Sequence, residues 1–330
     1  MTVLVTGGAG YIGSHMVLEL VDRGEPVVVI DNLSTGFNWA VHENAVLVEG
    51  DVGDQALVEK VLVDNNVNAI IHFAGSIIVP ESVTDPLGYY LNNTVKSRAL
   101  MESAVKCGVP HFIFSSTAAV YGMPEVIPVP EDVRLDPMSP YGSSKLMTEI
   151  MLRDTAAAHN FSYGALRYFN VAGADPQGRS GQSTPKATHL IKVACQAALG
   201  HRTHLDVYGT DYDTRDGTCI RDYIHVTDLV RAHGMALDHL RAGGDSLTVN
   251  CGYGRGFTVK EVIETVKSVS GVDFEVRLAE RRPGDPAQIV AKADRIREVL
   301  GWEPQHAELD GIVELALNWE RRLHNKLAAA

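Results

Sequence analysis

The first half of the chain alternates short apolar runs with longer segments in which apolar residues recur at helical spacing. The run "TVLVTG" at residues 2–7 is followed by the helical pattern "YIGSHMVLELVDRG". Further apolar runs are "PVVVID", "AVLVEGD", "NAIIHFAG", "HFIFSST" and "YGALRYFN", and helical patterns such as "ALVEKVLVDNN" lie between several of them. Continuous short apolar runs are typical of strands buried on both faces. The alternation predicts an α/β protein with a Rossmann-type, doubly wound parallel sheet.

The pattern loosens after about residue 171. Residues 172–185, "AGADPQGRSGQSTP", are rich in Gly and Pro and predict a long loop. Later segments predict two strands, "SLTVNCG" and "FEVRLAE", and three helices, "TDLVRAHGMALDHL", "TVKEVIETVKSV" and "LDGIVELALNWERRLHNK". They predict a smaller C-terminal α/β lobe that binds substrate. We expect a cofactor domain made of residues 1–171 together with a later segment of about 222–252. The substrate lobe is then made of residues 172–221 and 253–330.

Composition narrows the class of protein. The 330 residues are 45% hydrophobic, as in a globular protein, and carry a net charge of −12. Sequence-independent binding to nucleic acid depends on clustered Lys and Arg, so no nucleic-acid partner is expected. Apolar runs stay shorter than the roughly 18 residues that span a bilayer, so we expect no membrane partner either. Four widely spaced cysteines are typical of reduced thiols in a cytoplasmic protein. The 13 histidines lack metal-motif spacing, and no metal site is predicted.

The turn after the first strand has a glycine pattern typical of dinucleotide sites. In "TGGAGYIG", Gly7, Gly10 and Gly13 allow a tight turn and a close approach of the backbone to a pyrophosphate. The free N–H groups at the start of the next helix, around Tyr11 and Ile12, favour the diphosphate charge. A purely structural turn between a strand and a helix is the alternative.

An acidic residue follows at the distance that such a site requires. Asp31 ends the second apolar run, about 20 residues after the turn, where a carboxylate binds the ribose hydroxyls and repels a 2′-phosphate. This position favours NAD over NADP. A second acid, Asp51 in "EGDV", follows the third run, near the expected place of the adenine.

The stretch "SPYGSSK" places a phenol and an ammonium one helical turn apart. Ser139 and Pro140 are typical of a helix start, so Tyr141 and Lys145 share one face. An ordinary surface pair is one interpretation. The other is that Lys145 lowers the pKa of Tyr141 from about 10, so that the phenol exchanges protons near neutral pH.

With the cofactor motif in place, the chain resembles the extended short-chain dehydrogenase/reductase family over nearly its whole length. The resemblance rests on "GGAGYIGSH", "HFAG", "SSTAAVYG", "SPYGSSK", "LRYFNVAGA", "RDYIHVTDL" and "RRPGD", the last two being specific to its nucleotide-sugar enzymes. It implies that Tyr141 is the catalytic acid/base and Lys145 its pKa-lowering neighbour, which also bonds the nicotinamide ribose. Thr117 is the third polar member of the catalytic set.

The resemblance also implies the ligand contacts. Those to NAD fall on Gly7, Gly10, Tyr11, Ile12, Gly13, Asp31, Asn32, Asp51, Val52, Phe73, Ala74, Gly75, Asn92, Ser115, Tyr141, Lys145 and Tyr168. Those to the nucleotide sugar fall on Thr117, Tyr141, Asn170, His189, Leu190, Tyr208, Arg221, Arg282 and Asp285. Among these, Arg221 and Arg282 would hold the pyrophosphate, a task that suits a planar guanidinium.

The residues after Thr117 discriminate between reactions of the family. Related 4,6-dehydratases have Thr-Asp-Glu there, whereas this chain has Thr117-Ala118-Ala119, and alanines cannot move protons. The resemblance therefore implies interconversion of UDP-glucose and UDP-galactose through a 4-keto sugar, with transient reduction of bound NAD. Other UDP-sugars (N-acetylhexosamines, pentoses or uronates), a net dehydrogenase or reductase, and a non-catalytic NAD-sensing regulator remain alternatives.

Three positions depart from the family pattern. Ile77 stands where a lysine often contacts the cofactor diphosphate, and His189 stands where an asparagine often contacts the nucleotide. Ile289 occupies a gate position that limits the size of the substituent at sugar C2, and it leaves acetylated sugars undecided. The resemblance finally implies a homodimer, paired through helices around residues 92–107 and 141–159.

Overall fold

The computed structural model describes residues 1–184, 187–282 and 284–328, and side chains are described to residue 326. Thirteen strands occur in this part of the chain. They are β1 (Thr2–Thr6), β2 (Val27–Asp31), β3 (Val46–Glu49), β4 (Val67–His72), β5 (His111–Ser115), β6 (Ser162–Tyr168), β7 (Asn170–Ala172), β8 (Leu205–Tyr208), β9 (Ile220–His225), β10 (Leu247–Cys251), β11 (Gly256–Thr258), β12 (Val276–Ala279) and β13 (Gln288–Ile289).

Eleven α-helices accompany these strands within the described residues. They are α1 (Tyr11–Asp22), α2 (Gln55–Asp64), α3 (Val79–Thr84), α4 (Pro86–Tyr89), α5 (Lys96–Lys106), α6 (Pro140–Ala158), α7 (Leu190–Ala198), α8 (Val226–Arg241), α9 (Val259–Ser270), α10 (Asp294–Leu300) and α11 (Leu309–Ala328). A π-helical segment, Tyr90–Val95, leads into α5, and 3₁₀ turns occur at Asn38–Ala40 and Ala118–Tyr121.

Seven strands form one parallel sheet, in the order β10-β6-β5-β4-β1-β2-β3. The order reverses direction between β1 and β4, which is the topological switch point at which open α/β sheets bind ligands. The predicted doubly wound parallel sheet is confirmed. Its first six strands coincide with the six apolar runs of the first half, and β10 with "SLTVNCG".

The alternation of side chains along each strand explains why both faces of the sheet are covered. Val3 and Val5 belong to one hydrophobic core and Leu4, between them, belongs to a second core on the other face. A third apolar cluster joins α7, α9 and α11 to β8 and β9. Helices therefore bury the sheet from both sides, as continuous apolar strands require.

The C-terminal half has two further, smaller sheets. One contains β11, β9 and β13, with β7 added parallel to β9, and the other is the parallel pair β12 and β8. The sequence patterns did not predict β7, β8, β9, β11 or β13, or the helices α3, α4, α7 and α10. Several of these have only two to six residues, which is too short for a hydrophobic period to show.

The predicted loop at 172–185 is confirmed as far as it is described. Its residues up to 184 contain no helix, and an isolated bridge joins Ala174 to Gly181. Pro185 lies outside the described residues. Among the helices given above, none is both long and apolar enough to cross a membrane.

Candidate active site

The glycine turn lies at the carboxyl end of β1, beside the switch point. Gly7 has φ +71°, a conformation that L side chains rarely adopt, and a Cβ there would lie 2.7 Å from the Ala74 nitrogen. A Cβ on Gly13 would collide with the Gly7 carbonyl oxygen. Gly10 precedes α1 and has no side chain to cap it, so the first N–H groups of the helix, from Tyr11 and Ile12 onwards, are available to an anion. The turn fits a dinucleotide diphosphate.

The two acids of the cofactor motif end neighbouring strands. Asp31 is buried, and its two carboxylate oxygens accept from the Ala9 N–H at 2.9 Å and the Leu33 N–H at 2.8 Å. Asp51 accepts from Lys96 and from the Gly53 N–H. Burial alone would raise the pKa of Asp51, but these hydrogen bonds outweigh it and lower the pKa below its usual value. Two carboxylates are thus held at the edge where the adenosine is expected.

Two further predicted contacts flank these acids. The Asn32 side-chain oxygen accepts from the Ser34 N–H at 3.1 Å, which shapes the turn after Asp31. Val52, next to Asp51, is buried. Both residues therefore lie at the ends of β2 and β3, as the cofactor motif requires.

The segment after β4 is fixed by a polar residue that the sequence analysis missed. Asn93, in the π-helical segment, accepts from the Ser76 N–H at 2.7 Å and donates to the Ser76 carbonyl at 2.9 Å. The neighbouring Asn92, a predicted cofactor residue, donates to the Ser76 hydroxyl at 2.9 Å. Phe73, Ala74 and Gly75 are thereby held against the turn, while Ile77 is 46% exposed.

His72, at the end of β4, is a second residue that the sequence analysis missed. Its Nε2 lies 2.8 Å from the Ser97 hydroxyl, and that hydroxyl donates to the Asn93 carbonyl at 2.6 Å. Ser97 must therefore accept from Nε2, which leaves Nδ1 to accept from the Thr6 hydroxyl at 2.6 Å. Burial, and secondarily the charge of Lys145, lower the pKa of His72 to about 3, so the ring stays neutral.

Helix α6 begins as predicted and brings the catalytic set together. The Ser139 hydroxyl accepts from the Gly142 N–H at 3.2 Å, and Pro140 occupies the first turn. Tyr141 and Lys145 are both buried, and the Lys145 ammonium donates to the Ser115 carbonyl at 3.1 Å. Thr117, just beyond β5, hydrogen-bonds with the Tyr141 phenol.

The predicted lowering of the Tyr141 pKa is wrong in this structure. Burial raises the pKa of Tyr141, and the hydrogen bond with Thr117 only partly offsets this. The Lys145 ammonium donates its hydrogen bond to the Ser115 carbonyl instead. Burial lowers the pKa of Lys145 to about 8. The Tyr141 pKa rises through desolvation of the phenolate, because a buried anion loses its hydration.

The ends of β5 and β6 are joined by a hydrogen bond between two hydroxyl groups. Ser115 donates to the Tyr168 phenol at 2.9 Å, and burial raises the Tyr168 pKa well above its usual value. Both residues were predicted to contact NAD. They lie on β5 and β6, beside Lys145 and on the same sheet edge as the glycine turn.

Three of the predicted substrate residues line one small pocket, which is open to solvent. They are Asn170 at the start of β7, and His189 and Leu190 at the start of α7. The Gln182 amide nitrogen lies 2.7 Å from His189 Nδ1. Since an amide NH₂ can only donate, Nδ1 accepts and Nε2 carries the proton.

The other four substrate residues form two pairs of their own. Arg221 on β9 lies 3.7 Å from the Asp285 carboxylate. The Arg282 guanidinium lies 3.7 Å from the centre of the Tyr208 ring and covers one face of it. Tyr208 is 36% exposed, and so is not a packed core aromatic. Within the described residues, no hydrogen bond or ion pair joins these pairs to Tyr141.

Comparison with known proteins finds a matching family and similar relatives. The model of the "NAD dependent epimerase/dehydratase family" matches residues 3–252. A UDP-glucose 4-epimerase of Azospirillum brasilense is 60% identical, over 99% of this chain and 94% of the relative.

Solved structures agree with this match. The UDP-glucose 4-epimerase of Brucella ovis, in complex with NAD, superposes with a TM-score of 0.93 at 44% identity, covering 96% of this chain and 98% of that one. The UDP-Glc/GlcNAc 4-epimerase of Campylobacter jejuni superposes with a TM-score of 0.85 at 47% identity, covering 97% and 99%. The chain belongs to the NAD dependent epimerase/dehydratase family.

Proposed function

We propose that this protein is an NAD-dependent 4-epimerase that interconverts UDP-glucose and UDP-galactose. The observation that carries the proposal is the meeting of Tyr141, Lys145 and Thr117 beside the glycine turn, at the carboxyl edge of the sheet. Ala118 and Ala119, which follow Thr117, provide no further acid or base for dehydration. The UDP-glucose 4-epimerase relatives support this substrate.

Proton transfer falls to the phenol of Tyr141. As phenolate it takes the proton of the sugar 4-hydroxyl, directly or through Thr117, and as phenol it later returns the proton to the epimerised oxygen. NAD, when held by the glycine turn and Asp31, would supply the acceptor and donor of the C4 hydride. Because burial raises the pKa of Tyr141, the phenolate depends on nearby positive charge, which Lys145 supplies.

The remaining site residues hold the two ligands. The glycine turn and Asp31 bind the NAD diphosphate and ribose, and Asn92, Ser115 and Tyr168 flank the nicotinamide half. Arg221 and Arg282 hold the substrate diphosphate, while Asp285 and Tyr208 contact the uridine. Asn170, His189 and Leu190, which line one pocket, contact the nucleotide sugar.

The division into two units is part of the same proposal. Residues 1–171 with about 222–252 would bind NAD, and 172–221 with 253–330 would bind the nucleotide sugar. Support comes from β10, which adds to the sheet beside β6, and from the third apolar cluster, whose buried members, apart from Tyr223, come from residues 172–221 and 253–330.

Incubation with UDP-galactose and no added NAD tests the proposal directly. UDP-glucose is measured by a coupled dehydrogenase, added only after the enzyme has been removed. We expect many turnovers per chain, because the cofactor is regenerated in each cycle. Product that requires catalytic added NAD would indicate weak retention, consistent with Ile77 in place of a lysine. An absence of product even with NAD would reject this substrate.

UDP-N-acetylglucosamine is the second candidate substrate. The Campylobacter jejuni relative is named for both UDP-Glc and UDP-GlcNAc. Ile289 is buried on β13 and pairs with Arg221 of β9, so the position expected to face sugar C2 is an aliphatic of medium size. Parallel assays with the two substrates decide between them, and Ile289→Gly is expected to raise the relative rate on the acetylated sugar.

We further propose a homodimer, paired through α5, α6 and the π-helical segment. Exposed apolar side chains lie on these helices: Leu91 (54%), Val95 (52%), Met147 (42%) and Ile150 (41%). A large exposed apolar patch is typical of a protein interface. The double variant Val95→Glu/Met147→Glu should lower the mass measured by light scattering from two chains to one. Leu278→Glu, at a leucine on β12 that is 69% exposed, should leave the mass unchanged.

We also propose a cytoplasmic location. All four cysteines are free, and three of them are buried. Reduced thiols are typical of proteins in the cytosol. Cell fractionation followed by detection of the protein tests this point.

A further inference from the structure

The proposed reacting groups come from helix α6 and from the end of strand β5. The distance between them depends on the contacts that hold this helix against this strand. Tyr141 and Lys145 lie on α6, whereas Thr117 follows β5 and the Ser115 carbonyl ends it. Glu149 lies on the same face of α6, four residues beyond Lys145. It is 7% exposed and so is buried at the same helix–sheet contact.

Glu149 binds both strand ends at once. Its Oε2 accepts from Arg167 Nη2 at 2.6 Å and its Oε1 accepts from Arg167 Nε at 3.0 Å, which forms a fork. Oε1 also accepts from the Ser116 hydroxyl. A bidentate ion pair fixes orientation as well as distance, since both partners are planar.

The two residues that Glu149 binds are the chain neighbours of the catalytic set. Ser116 lies between Ser115, which accepts from Lys145, and Thr117, which bonds Tyr141. Arg167 precedes Tyr168, the partner of Ser115. Successive side chains in an extended chain point to opposite sides. Glu149 therefore contacts Ser116 and Arg167 on the side of the strands that faces away from Thr117 and Tyr168.

Four of the five N–H donors of Arg167 have partners within the protein. Its Nη1 donates to the Tyr121 phenol and to the Glu131 carbonyl, each at 3.1 Å. The Tyr121 phenol in turn donates to the Asn250 side chain at 2.6 Å, and Arg167 is 5% exposed. The pair therefore acts through its neighbours, with no contact to substrate or cofactor.

We propose that Glu149 and Arg167 are positioning residues, which set the distance between the Tyr141–Lys145 face of α6 and the strand end that carries Thr117. The inference rests on the proposed function, because it assigns these residues to that reaction. A buried ion pair can often be replaced by apolar side chains with no loss of stability. Stability and positioning are therefore separable by experiment.

The test replaces both members by methionine, in Glu149→Met/Arg167→Met. We expect the double variant to stay folded, with NAD content and UDP affinity close to those of the wild type. Its kcat on UDP-galactose should fall about tenfold to 100-fold, because a displacement of about 1 Å at reacting groups costs that much. KM should stay within about threefold, since substrate contacts are untouched.

A matched control is available at the opposite edge of the sheet. Arg241 and Glu25 form a second ion pair, in which both Glu25 oxygens accept from Arg241 Nη1, at 2.8 and 2.9 Å, and each side chain is 21% exposed. Glu25→Met/Arg241→Met should keep kcat within about twofold. An equal fall of kcat in both double variants would mean a general loss of rigidity and would overturn the proposal.

A second readout does not depend on turnover. The Thr117 hydrogen bond lowers the pKa of Tyr141, so displacement of Thr117 should raise it. The phenol is titrated by ultraviolet difference spectra against Tyr141→Phe. A folded double variant with unchanged kcat, or with an unchanged Tyr141 pKa, overturns the proposal. A wild type without turnover rejects the proposed function instead, and the titration then decides on positioning alone. Glu149→Gln replaces the double variant in both measurements if the latter fails to fold.

Discussion

The cofactor side of the site is shaped by backbone, and the nucleotide-sugar side by side chains from distant elements. Gly7 holds its φ of +71° with Ala74 packed against it, and Gly13 fits only without a Cβ. On the other side, Arg221 pairs with Asp285 and Arg282 stacks on Tyr208, and these side chains are partly exposed.

The difference explains what each side can do. A backbone-built turn is rigid and recognises the diphosphate that all dinucleotides share, so it needs no adjustment between substrates. Side chains paired among themselves exchange those partners for a ligand, at the cost of breaking the existing pairs. We therefore expect the chemistry and the cofactor to depend on the first side, and the choice of nucleotide sugar on the second.

The largest expected effect separates chemistry from binding. Tyr141→Phe removes the proton-transfer group without changing the fold, and it should lower kcat about 1000-fold. UDP affinity, measured by calorimetry, should stay within about threefold. Tyr163→Phe, on β6 of the same sheet, is the control and should keep full activity. A Tyr141→Phe variant that retains one tenth of the wild-type kcat would exclude Tyr141 as the acid/base.

The next effect tests the backbone-built turn. Gly7 and Gly24 have similar φ angles, +71° and +74°, but only Gly7 has neighbours against a Cβ. Gly24→Ala should cost about 1 kcal/mol from backbone strain alone. Gly7→Ala should cost about 3 kcal/mol, because strain and crowding add, and it should release NAD.

Denaturant unfolding and the NAD content of the purified variants measure this difference. Similar losses in the two variants would show that the turn tolerates displacement, and the contrast between the two sides of the site would then fail.

A smaller effect is expected from the side-chain-built half. Arg282→Ala should weaken UDP binding about tenfold to 100-fold, because it deletes a charged contact to the diphosphate. The neighbouring Arg281, which pairs with Asp211 and stacks on Tyr212, provides the control. Arg281→Ala should change the Kd by less than about threefold. NAD content should be unchanged in both, and equal effects on UDP would remove Arg282 from the site.

The smallest effect concerns pH. Turnover needs ionised Tyr141, so kcat should rise with pH through the pKa of this phenol. The phenolate and the Lys145 ammonium stabilise each other, so ionised Tyr141 offsets the lowering of the Lys145 pKa by burial. In Lys145→Met the rising limb should shift by about one unit to higher pH. Lys96→Met, which breaks only the pair with Asp51, should not shift it, and an unshifted limb in Lys145→Met would deny the role of the ammonium.

Residues that act together within one element were predictable. Tyr141 and Lys145 are one helical turn apart, and Ser139 and Pro140 mark the start of their helix, so their shared face follows from local geometry alone. The three glycines are likewise one turn. By contrast, the partners of Asn93, of His72 and of Glu149 lie at least 17 positions away along the chain. No short-range sequence pattern predicts such contacts.

The sequence by itself determined the parallel sheet, the glycine turn, Asp31 and the pairing of a phenol with an ammonium. Each follows from spacing within a strand, a turn or a helix. Only the tertiary structure decided that burial raises the Tyr141 pKa, that Lys145 turns to the Ser115 carbonyl, and that Arg282 rests on Tyr208. Desolvation and side-chain pairing depend on which surfaces meet, and that is settled when separate elements pack together.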